Sequence, residues 1–171
     1  MDRMATIELA LKNEKQEMAY YQAEARRSRN PLAKAMFENL AADEHEHMFR
    51  IQKLHARLVG EGAWPQDVPI EVAGTRIQET LAANATKAST KADHDDDDEK
   101  AIEKAIAFEG VGERLYRGLA EDSTNDQERT FFAFLAGIER EHRLSLVDSL
   151  EYLKHPQTWH EKHEKITLDG A

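Results

Sequence analysis

The sequence predicts an all-α four-helix bundle made of two repeated helical hairpins joined by a long crossover. Three observations predict it. Helix breakers are sparse, with 8 Gly and 4 Pro in 171 residues, while Ala, Leu, Glu and Lys are plentiful. Apolar residues recur at helical spacing in four long stretches. The chain also repeats itself: a shift of 95 residues aligns Ile7 through Lys53 with Ile102 through Asp148 without a gap, and 14 positions are identical. The length suits one domain. The expected layout is a bundle over 1–155, with hairpin 1 at about 5–60, the crossover at about 61–94 and hairpin 2 at about 95–155, then a polar tail over 156–171.

The first helix is expected over 6–27, with Ile7, Leu11, Glu14, Met18 and Tyr21 on one stripe. Asn30 and Pro31 supply an N-cap and an N1 proline for the second helix. Its inward face is Phe37, Leu40, Glu44, His47, Ile51, Leu54 and Leu58, and it is expected to stop at Gly60. The segment WPQDVPIEVAG reads as an extended crossover, with a short helix over 75–88 around Ile77 and Leu81. A connection this long suits a bundle with one crossover. The acidic run over 93–99 leads into the third long helix, where negative side chains suit the positive end of the helix dipole. That helix, over 97–120, turns Ile102, Ala105, Ile106, Glu109, Tyr116 and Leu119 inward. Ser123, Thr124 and Asn125 mark the next start, and the fourth helix carries Phe132, Leu135, Glu139, His142, Leu146, Leu150 and Leu153 before ending near His155 and Pro156. The tail beyond is expected to be loosely held.

A formal net charge of −10 argues against nucleic acid and anionic membrane surfaces as partners, and it favours cations. No apolar run reaches the roughly 18 residues of a membrane span, and MDRMATIELA reads as the start of a helix rather than a signal peptide. The absence of cysteine excludes disulfides and thiolate metal sites from these residues. The cytoplasm is the expected location.

The apolar stripes are interrupted by ionisable residues in matching places. The repeat superposes Glu14 on Glu109, Glu44 on Glu139 and His47 on His142. Packing the stripes inward brings all six to mid-bundle, and the stripes hold no Lys or Arg to neutralise four carboxylates. A Glu from each of two helices and a Glu-x-x-His from each of the other two is the donor set of di-iron and di-manganese carboxylate bundles. Two divalent cations balance four carboxylates, and neutral imidazoles complete the coordination. Oxygen and imidazole donors suit iron or manganese; zinc fits without supporting redox chemistry.

The segments NEKQEMAYY and FEGVGERLY, with EHEH and EREH, resemble the rubrerythrin-like branch of the ferritin-like superfamily. The resemblance runs to about residue 155 and implies a ferritin-like bundle holding two irons. It implies that Glu44 and Glu139 bridge the metals, that Glu14 and Glu109 are terminal ligands, and that His47 and His142 bind one metal each. Tyr21 and Tyr116 resemble the family's tyrosines that hydrogen-bond ligand carboxylates. The implied activity is reduction of hydrogen peroxide or dioxygen. Alternatives are a ferroxidase serving iron storage and a non-enzymatic metal-binding bundle. The resemblance also implies a homodimer. Two departures stand out. Rubrerythrins carry a further Glu three residues after the third-helix ligand, where this chain has Gly112; the equivalent place in the first helix holds Glu17, either a seventh ligand or a partly solvated surface residue. Glu113 stands at the wrong offset. No rubredoxin-type module follows the bundle, so the electron donor is expected to be a separate rubredoxin-like protein or flavoprotein.

Asp43 precedes Glu44 and can orient a neighbouring imidazole, but its repeat mate is Ile138, which favours a surface role. Glu46 and Glu141 match in the repeat yet point away from the stripe, as expected of solvated surface. His45, His55 and His94 have no partner spacing, and His155, His160 and His163 lie in the polar tail.

Overall fold

The computed structural model describes residues 3–62, 64–65, 75–85 and 96–168. The described elements are helices: α1 (Arg3–Arg27), α2 (Pro31–Glu61), α3 (Ile77–Ala85), α4 (Asp96–Asp122), α5 (Asp126–Lys154) and α6 (Pro156–Leu168). Three-residue links make α1/α2 and α4/α5 antiparallel hairpins, and α1 meets α4 across the bundle. The short α3 lies against α2 and α5, and α6 lies against α5.

The local signals set the boundaries. Asn30 has extended backbone, and its side chain accepts from the N–H groups of Leu32 (2.9 Å) and Ala33 (3.1 Å). Asn125 does the same for Glu128 at 3.0 Å. The second helix passes the expected stop at Gly60 and ends at Glu61, because Gly62 is the residue that turns left-handed (φ 67°) and returns its N–H to Leu58. Asp96, Asp97, Asp98 and Glu99 form the first turn of α4; the rest of the acidic run lies outside the described residues, as does His94. Fully buried Asp98 accepts from the Asn30 N–H at 3.2 Å, which ties the α1/α2 turn to α4. In the crossover, α3 buries Ile77 and Leu81 as expected; residues 66–74 and 86–88 lie outside the described part.

Two apolar clusters flank the centre of the bundle. One gathers Tyr21, Phe37, Leu40, Ile102 and Leu146; the other gathers Ile7, Ile51, Tyr116, Phe132 and Leu135. The repeat is visible in detail: Tyr21 stacks on Phe37 at 6.2 Å and Tyr116 stacks on Phe132 at 6.3 Å. Each fully buried side chain contributes about 1.5–3 kcal/mol of apolar transfer free energy. The same two plugs close the polar middle from above and below.

The expectation of a loose tail is overturned. Residues 156–168 form α6, which opens on Pro156 and buries Trp159 edge-on against Tyr152, with ring centroids 5.3 Å apart. The Trp159 indole donates to Asp148 at 2.7 Å. One aromatic residue in a polar stretch, given a partner on α5, is enough to dock the helix.

Candidate metal centre

Glu14 from α1, Glu44 and His47 from α2, Glu109 from α4, and Glu139 and His142 from α5 meet in mid-bundle, each at most 1% exposed. Two groups of donor atoms can each surround one ion: Glu14, Glu44, His47 and Glu139, and Glu44, Glu109 and His142. Within each, the donor atoms lie within 4.8 Å of one another. Glu44 belongs to both. Its Oε2 lies 2.8 Å from His47 Nδ1 and its Oε1 lies 3.3 Å from His142 Nδ1. The two imidazoles stack at 5.7 Å.

The tyrosines cross between hairpins. Tyr21 of α1 donates to Glu109 Oε1 of α4, and Tyr116 of α4 donates to Glu14 Oε1 of α1. Each carboxylate therefore has one oxygen held by a phenol. The other is turned to an imidazole: Glu14 Oε2 is 3.1 Å from His47 Nδ1, and Glu109 Oε2 is 3.4 Å from His142 Nδ1. Burial first, and then the adjacent Glu109 and Glu14 respectively, raise the two phenols well above their ordinary range, so both remain protonated donors.

A cation fits what is left over. Glu139 Oε1 and Oε2, Glu109 Oε2, Glu44 Oε1 and His142 Nδ1 are buried without a hydrogen-bond partner among the described residues. Glu44 Oε1 and Glu109 Oε2 come within 3.4 Å of His142 Nδ1 but make no hydrogen bond with it. Leaving one such atom unsatisfied costs about 1–3 kcal/mol, and a bound cation would satisfy several of them at once. The charges agree. Burial and then Glu44 raise Glu14 to about 7, against the pull of His47. Burial, Glu109 and Glu17 raise Glu139. Burial also opposes ionisation of Glu44, but the flanking His47 and His142 outweigh it and hold that carboxylate below the usual range. His47 is disfavoured as a cation by burial, yet Glu44 and Glu14 lift it to about 10. Without metal the centre stores protons, which divalent ions would displace.

Asp43 is not the surface residue expected. Its side chain is only 15% exposed, and its Oδ2 lies 3.4 Å from His142 Nε2, on the far side of the ring from the centre. Burial disfavours the imidazolium, but at that distance Asp43 joins Glu109 and Glu44 in raising His142 above the ordinary imidazole range. The helix face of residue 43 follows from its position, but only the packing of α2 beside α5 shows what it meets. Glu17 is buried (3% exposed) and held by Asn13 at 2.9 Å; burial, then Glu44, Glu109 and Glu14, raise it well above the ordinary range. It faces the same interior but stands outside both donor groups. Gly112 forms a notch: a Cβ there would lie 2.7 Å from Glu139 Oε2. Glu113 is also buried, but Arg117 and Arg143 bind it outside the centre. Glu46 pairs with Arg50, His45 is exposed, and His160 lies edge-on to Trp159.

Fold and donor set together define a helical bundle built around a buried carboxylate–imidazole centre that fits a metal. The chain belongs to the rubrerythrin family, whose model matches residues 6–95 of the 171. No curated protein and no solved structure matches the chain. The matched span covers α1, α2 and the crossover, so the second-half donors rest on the internal repeat and on the geometry above. No described helix is long and apolar enough to cross a membrane.

Proposed function

We propose that this chain is a non-haem di-iron oxidoreductase that reduces hydrogen peroxide, or dioxygen, with electrons from a separate carrier. The observation that carries the reading is the pair of donor groups sharing Glu44, one imidazole at each end. Two reduced irons held by these six residues would supply one electron each, which with two protons convert hydrogen peroxide to two waters. Glu14 and Glu109 each present one oxygen inward while Tyr116 and Tyr21 hold the other. Glu44 spans both imidazoles, and Glu139, free of hydrogen bonds among the described residues, lies over Gly112, where the missing Cβ leaves space for its carboxylate. Asp43 braces His142, and the Tyr21/Phe37 and Tyr116/Phe132 plugs exclude bulk water.

The test is metal analysis of protein from iron-replete cells, then anaerobic reduction and one equivalent of peroxide while following near-ultraviolet absorbance. Two irons per chain, rapid oxidation, and loss of both in Glu44→Ala and Glu139→Ala support the proposal. Zinc alone, or iron inert to peroxide, would instead make the centre structural. Uptake far above two irons per chain would point to storage.

A further inference from the structure

A second charged feature lies on the outer seam of α4 and α5. An open groove of about 380 Å³ carries Arg117, Arg129 and Arg140 along its walls, with Glu121 as its one carboxylate. On a chain of net charge −10, three arginines along one groove are a local concentration of positive charge, offset at its edges by Glu113 and Asp126. Arg117 and Arg129 are each ion-paired at one edge, to Glu113 and Asp126, and Arg140 carries the charge left unpaired among the described residues. The side chains of Arg117 and Arg129 are 59% and 51% exposed, and Arg140 is exposed with no partner among the described residues. Arg117 bonds Glu113, and Arg129 bonds Asp126 and the Ser123 carbonyl, which leaves part of each five-donor fork unused.

The floor of the groove is kept low by Ala133, Ala136 and Gly137. A Cβ at Gly137 would meet nothing within 4 Å, so no packing within the chain requires glycine there. Mid-helix glycine is less favourable than alanine. The internal repeat supplies a comparison. The first hairpin repeats the inward donors but has Gln22 opposite Arg117, Lys34 opposite Arg129 and His45 opposite Arg140, so only one of the three charges is repeated there. A second basic groove, at Arg50, Lys53 and Arg57, has every cation engaged, by Glu46, the Phe49 ring and Glu61, and holds no counterpart of the exposed Arg140.

From these observations we infer that the Arg117/Arg129/Arg140 groove docks an acidic one-electron carrier protein. The inference rests on the redox reading above, which requires external electrons. Arg140 faces out immediately after Glu139 faces in, so the groove stands across one helix, about 10 Å thick, from the centre. Positive charge on the docking face steers an acidic carrier to this side and raises its rate of encounter.

The experiment uses iron-loaded, oxidised protein mixed anaerobically with a reduced acidic rubredoxin as probe, following rubredoxin oxidation. Arg140→Glu is compared with Lys15→Glu, an equal charge change at an exposed position on α1. The expected result is a second-order rate lowered about tenfold by Arg140→Glu at low ionic strength, with the gap closing at high salt, while Lys15→Glu changes it less than twofold. Arg140→Gln should fall between wild type and Arg140→Glu. Equal effects of the two glutamate variants, or none, overturn the inference. So does a change of oligomeric state in Arg140→Glu, which would make the groove an interface between copies, or equal inhibition of all variants by millimolar phosphate. Dithionite reduction followed by peroxide tests the redox reading separately, without any carrier. Failure there removes that reading, whereas success there with an Arg140-independent rate removes only the docking site.

Discussion

Tyr116 and Gly112 show how single residues shape the centre. The Tyr116 hydroxyl is the donor that holds Glu14 Oε1, and both groups are fully buried. Tyr116→Phe keeps the ring stacked on Phe132 but strips that donor, so the fold should survive while metal affinity falls about 10–100-fold, as for other partners of ligands. Competition against a chromophoric chelator measures the loss, and circular dichroism checks the fold. Gly112→Ala acts by volume. Alanine favours the helix by about 1 kcal/mol, but its Cβ would press on Glu139 Oε2 at 2.7 Å. The metal-free variant should melt no lower than wild type, whereas its metal-bound form should be less stable than wild type and retain less metal. Calorimetry with and without iron separates the two effects.

At the scale of elements, α6 is the part that composition least suggested. Its hold on the bundle depends on Trp159, packed on Tyr152 and bonded to Asp148. Trp159→Ala removes both contacts and should cost about 3 kcal/mol if α6 still docks. If it undocks, limited trypsin digestion should cut at Lys162 well before any site in α1 to α5. The hairpins themselves are held by their caps and stacked aromatics in a doubled pattern, which leaves α6 and α3 as the pieces without a repeat mate.

For the whole molecule, metal-free stability depends on protons held at the centre. Glu14 is raised from 4.5 to about 7, so its contribution is complete below pH 4.5 and lost as pH rises through 7. His47, raised from 6.5 to about 10, runs the same way, its contribution complete below 6.5 and lost through 10. Glu44, lowered, contributes above 4.5 and loses that contribution only in acid. The melting temperature of the metal-free chain should therefore fall from about pH 5 to about pH 8. Metal should reverse the trend, because each ion displaces protons and binds more tightly as pH rises. A pH series of thermal melts with and without ferrous iron under argon checks both slopes, and equal slopes would show that the cluster does not hold the metal.

The sequence by itself determined the four long helices, the doubled hairpin and the six inward donors. All of these follow from local spacing: a stripe at 3.6 residues per turn states which side chains share a face, and the shift of 95 residues states it twice. Asn30, Asn125 and Pro31 act on their own neighbours, so they too were legible. What only the tertiary structure decided concerns partners on other helices. The Tyr21 to Glu109 and Tyr116 to Glu14 hydrogen bonds cross the bundle, as does the Asp43 contact with His142. Trp159 acquires meaning from Tyr152 and Asp148, and Gly112 from a carboxylate on α5. Periodicity fixes the direction in which a side chain leaves its helix. What it meets depends on the offset and rotation of the neighbouring helix, and those are set by the packing of the whole core.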